Sequence, residues 1–124
     1  MNLLILSTLP HYIVLLVGPT KLYNSVVFCS SSLSVLWHYS DAPATSLLGT
    51  LDHLFALLWL LTDCYYFWET RFLQRMLLIN GISFLAAQVA PHLLSYYVGH
   101  SIWHLLSVAK SVYLAYLLRY SILV

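Results

Sequence analysis

The chain has 124 residues, of which 61% are hydrophobic and 7% charged, with a mean hydropathy of +0.84. Soluble domains carry about 25% charged residues, so this composition argues against a water-soluble core and predicts an all-α integral membrane protein. The net charge of +1 comes with no basic run, which excludes nucleic acid as a partner. Cys29 and Cys64 lie inside apolar stretches and fit neither a disulfide framework nor a Cys-x-x-Cys metal site.

A membrane-crossing helix takes about 17–25 apolar residues. Five stretches qualify, approximately 1–17, 22–39, 47–68, 76–97 and 99–120, and only turns separate them. They predict a single transmembrane helical domain over 1–124. The first, "MNLLILSTLPHYIVLLV", has no basic residues ahead of its apolar run and is read as a first helix, interrupted by Pro10 and His11, rather than a cleaved leader. "GPTK" (18–21) is a turn.

In the second stretch Ser34 and His38 are four residues apart, so they share a helix face. Its "CSSSLS" (29–34) supplies small residues that let helices approach closely. "SDAPATS" (40–46) is a polar loop, with Asp41 in solvent. The third stretch places Asp52 near its start. His53 follows, turned about 100° away from it, which fits an interfacial role better than ligation. "DCYYFW" (63–68) reads as an interfacial aromatic belt. "ETRFLQR" (69–75) is a charged turn, and Pro91 and Gly99 both mark ends for the fourth helix. His11 and His92, each beside a proline, are read as structural. The last stretch opens with "HSIWH", where His100 and His104 share a face one turn apart. Lys110 lies mid-helix, where it either snorkels or pairs with Asp63.

Helix alternation then does the sorting. The N-terminus, His38, Asp52 and His100 fall at one membrane face. Lys21, Arg71, Arg75 and Arg119 fall at the other. By the positive-inside rule the basic face is cytoplasmic, which puts the N-terminus and the histidines on the lumenal or extracellular side and the C-terminus in the cytoplasm. A carboxylate inside a membrane needs a partner, and a metal centre provides one for Asp52. His38, His100 and His104 make a three-histidine set for Zn2+ with water in the fourth position, the open arrangement of catalytic sites. Asp52 is the candidate to orient that water or take its proton, and Ser34 to hydrogen-bond the water or a developing oxyanion.

The Ser-x₃-His of "SVLWH", the Asp of "LDHLF" and the His-x₃-His of "HSIWH" together resemble the CREST superfamily of membrane metal-dependent hydrolases, which includes alkaline ceramidases and adiponectin-type progestin receptors. "WHYSDAPATSLLGTLDHLFALLWLLTD" looks more like the branch of myomaker and the post-GPI-attachment phospholipase, where an acidic residue, here Asp41, shortly follows the His. The resemblance covers parts of residues 30–110. It implies a zinc site of three His, one Asp and one Ser, and hydrolysis of an amide or ester bond of a membrane lipid. That family has seven helices, so five predict a reduced form of its fold, with a homo-oligomer as one source of the missing walls. Two other readings stay open: a non-catalytic membrane adaptor with a structural zinc site, and a haem-binding helical bundle.

Overall fold

The computed structural model describes residues 2–89 and 95–121, and every element in them is helical. Helix α1 (Leu3–Thr8) runs on as a 3₁₀ helix over Leu9–Leu16. The remaining helices are α2 (Lys21–Ser40), α3 (Leu47–Phe67), α4 (Arg71–Val89) and α5 (Tyr96–Ser121). Pro91 and His92 lie outside the described residues.

The first stretch is thus two kinds of helix. Pro10 has no N–H to give to the preceding turn, and its ring crowds the carbonyl four residues back, so the chain tightens into a 3₁₀ geometry over eight residues. Hydroxyl and amide side chains start the first three helices. The Asn2 side chain accepts from Leu4 N, Thr20 Oγ1 from Tyr23 N, and Ser46 Oγ from Gly49 N, each satisfying an otherwise unpaired amide. Helix α2 closes on Asp41, whose left-handed backbone (φ 55°) is one that Asp tolerates among non-glycine residues. Trp37 Nε1 donates to the Ala42 carbonyl at 2.8 Å and folds the 41–46 loop back onto α2. Gly49 faces that loop so closely that a Cβ would stand 2.6 Å from the Ala44 carbonyl oxygen.

Two boundaries differ from the sequence reading. Helix α4 starts at Arg71, because Arg71 and Arg75 are good helix formers and their charges do not require a loop. Gly99 is buried within the first turn of α5 rather than at a break; Ser95, one residue before the helix, accepts from Val98 N.

Helix α2 packs along α3, and α4 along α5. The N-terminal segment wedges between α2 and α5, while α3 meets α4 at only a few points. This ring surrounds a half-open cavity of about 470 Å³. The burial pattern is inverted relative to a soluble protein: among the described residues, buried polar and charged side chains outnumber buried apolar ones, and large apolar side chains such as Leu16 (79%) and Leu47 (77%) lie exposed. Among the described residues only α3 is both long and apolar enough to cross a membrane unaided; Leu3–Leu16 is apolar but shorter.

Candidate metal centre

The C-terminal turn of α2 and the first turns of α5 bring His38, His100 and His104 together. Their ring centroids are 5.3 Å apart for His38–His100, 5.3 Å for His38–His104 and 4.6 Å for His100–His104. One ring nitrogen from each falls within 4.8 Å of the others, and all three residues are buried. That triangle is compact enough to hold a metal ion.

The donor set also fits chemically. His38 Nε2 and both nitrogens of His100 are buried without a hydrogen-bond partner. Buried polar atoms are nearly always paired, and an orphaned one costs about 1–3 kcal/mol. A cation between the rings would take one nitrogen from each imidazole, and so would satisfy His38 Nε2 and one of the two His100 nitrogens. His104 differs in having its Nδ1 engaged, at 2.9 Å from Ser7 Oγ and 3.1 Å from Thr8 Oγ1. A partner on the far nitrogen is the usual surrounding of a metal-binding imidazole.

Asp52 and Ser34 stand outside the histidine triangle and line the cavity together with His104. Asp52 is buried, and Ser34 lies near its carboxylate. All five residues of the sequence-derived set therefore gather at one end of the bundle. His53, half-exposed, is outside the histidine triangle but also lines the cavity; its Nδ1–H donates to the Gly49 carbonyl at 2.6 Å, and Nδ1 lies 4.0 Å from the Asp52 carboxylate. Asp41 is exposed and caps α2.

Sequence reasoning missed the contribution of the N-terminal segment. His11, read as merely structural, lines the cavity. It donates Nδ1–H to the Thr8 carbonyl at 2.7 Å, and its ring centroid lies 5.3 Å from that of His104. Ser7 and Thr8 were not singled out at all. The signal available was their place in the first stretch, whose start alternation already assigns to the same face as the histidines. The "DCYYFW" belt is also only partly an outer feature. Tyr65 and Trp68 are exposed, but Phe67 is core and Asp63 is fully buried.

Deeper in the bundle Lys110 meets Asp63 at 2.6 Å. Tyr23 donates to the same carboxylate at 2.6 Å, Ser111 at 3.4 Å, and Trp59 Nε1 donates to the Tyr23 hydroxyl at 3.3 Å. Of the two readings for Lys110, the ion pair is the one observed.

No protein family, curated protein or solved structure matches this chain.

Proposed function

We propose that the chain is a multi-pass membrane protein that hydrolyses an amide or ester bond of a membrane lipid, using a zinc ion held by His38, His100 and His104. The observation that carries this reading is the convergence of three buried imidazoles, two of them with unpartnered nitrogens, beside a cavity lined by Asp52 and Ser34. The resemblance of "SVLWH", "LDHLF" and "HSIWH" to the CREST hydrolases supplies the reaction class.

The burial pattern supports the membrane setting. Leucines face outward and hydroxyls, histidines and an ion pair face inward, the arrangement that lipid favours for ionisable residues. The short first segment has adequate reach: six α-helical and eight 3₁₀ residues rise roughly 25 Å together, close to the hydrocarbon core of about 30 Å. Lys21, Arg71, Arg75 and Arg119 occupy helix ends away from the histidines, which favours a lumenal or extracellular site and a cytoplasmic C-terminus.

A zinc ion held there supplies Lewis acidity and makes a nucleophile from water near neutral pH. The chain's own residues do the rest. Asp52 takes a proton from the attacking water and returns it to the leaving amine or alcohol. Ser34 orients the Asp52 carboxylate. Leu57, Leu60, Leu77 and Phe84 on the cavity wall receive a hydrocarbon chain and exclude bulk water.

The test is a hydrolysis screen of purified protein against ceramides, glycerophospholipids and GPI-like lipids. Wild type should cleave one class and stop on chelation. Asp52→Asn should keep its metal and its fold while losing about 10²–10⁴-fold in rate, the usual worth of general acid–base help. A wild type that binds stoichiometric zinc yet cleaves none of them overturns the enzymatic reading in favour of a metal-stabilised adaptor.

A further inference from the structure

Ser7 and Thr8 close the last turn of α1, and both are buried. Ser7 Oγ lies 2.9 Å from the Leu4 carbonyl oxygen, and Thr8 Oγ1 lies 2.7 Å from the same atom. Such back-bonding is ordinary for hydroxyls in a helix. Here it has a consequence for a third group. A hydroxyl has one proton and a carbonyl oxygen only accepts, so both hydroxyl protons are committed to Leu4. What Ser7 and Thr8 turn toward His104 Nδ1, at 2.9 and 3.1 Å, is therefore lone-pair density. The nitrogen facing two acceptors has to be the donor. His104 then carries its proton on Nδ1, and a neutral imidazole protonated there carries its lone pair on Nε2.

We propose that Ser7 and Thr8 are positioning residues for the metal centre. Through the Leu4 carbonyl they fix His104 as the Nδ1–H tautomer and so commit its Nε2 to the cation. The metal half of this proposal rests on the zinc-site reading above; the tautomer half does not. The device also explains why the N-terminal segment packs against α5 as well as α2. This packing places two hydroxyls against one ligand.

The experiment uses the full chain in micelles, with wild type, Ser7→Ala/Thr8→Val and the hydroxyl-preserving exchange Ser7→Thr/Thr8→Ser. A double change is needed because either hydroxyl can accept alone. Nitrogen-15 NMR of histidine-labelled, metal-free protein reads the tautomer directly. Wild type and the exchange variant should show His104 protonated at Nδ1, and Ser7→Ala/Thr8→Val should lose that preference while its helical circular dichroism is unchanged. Titration with zinc ions should then show affinity about 10–100-fold weaker for Ser7→Ala/Thr8→Val, the usual cost of removing a hydrogen-bond partner from a metal ligand, and restored in the exchange variant. An Nε2–H tautomer in wild type, or a tautomer and zinc affinity unaltered by Ser7→Ala/Thr8→Val, overturns the proposal. A wild type that shows the Nδ1–H tautomer but binds no zinc leaves the hydroxyl device standing as a tautomer lock and overturns its role toward a metal.

Discussion

Asp63 and Lys110 lie about 24 and 21 Å along α3 and α5 from the ends of those helices that flank the site, counting 1.5 Å per residue. Similar depth in the bundle is what lets them meet at 2.6 Å. Neither charge has bulk solvent to fall back on. Removing one partner leaves the other buried and uncompensated, which typically costs 3–5 kcal/mol. Lys110→Met should therefore destabilise the protein by about that amount, whereas Asp63→Leu/Lys110→Met should recover much of it, because no charge is stranded. Thermal unfolding in micelles measures both; a double variant as damaged as the sum of its singles contradicts this account. The pair was half legible in the sequence. Helix alternation brings the two depths into register, but the apolar stretches alone do not say which side chains turn inward. The hydroxyls of Ser7 and Thr8 were not legible, because their role depends on where a proline-tightened segment meets α5.

At the scale of the elements, the sequence carried the order and count of helices well, since each apolar stretch became one helical segment. It carried their ends less well. A run with Glu69, Arg71 and Arg75 looks like a loop by charge, yet α4 begins inside it because arginine is an adequate helix former. Alternation across a membrane depends on the number of crossing elements and not on their limits. It also fixes an expected topology. Lys21 opens α2, Arg71 and Arg75 open α4, and Arg119 falls in the last turns of α5, all away from the histidine end. A C-terminal tag should be protected from protease in intact cells and digested once the plasma membrane alone is permeabilised. A tag digested in intact cells would contradict the orientation.

Taken as a whole molecule, the chain has its polar chemistry inside and its leucines outside, with a cavity of about 470 Å³ between helices that close into a ring around it. The histidines of that interior were readable because residues at i and i+4 share a helix face. The cavity itself was not, since its volume depends on how loosely α3 and α4 meet. The proposed hydrolysis turns on whether the three imidazoles hold a cation. The most direct test is elemental analysis of protein purified without added chelator. Wild type should carry close to one zinc per chain, and His38→Ala and His100→Ala/His104→Ala should carry little while remaining helical by circular dichroism. Equal zinc in wild type and His100→Ala/His104→Ala, or none in wild type after zinc is supplied, would contradict the metal centre.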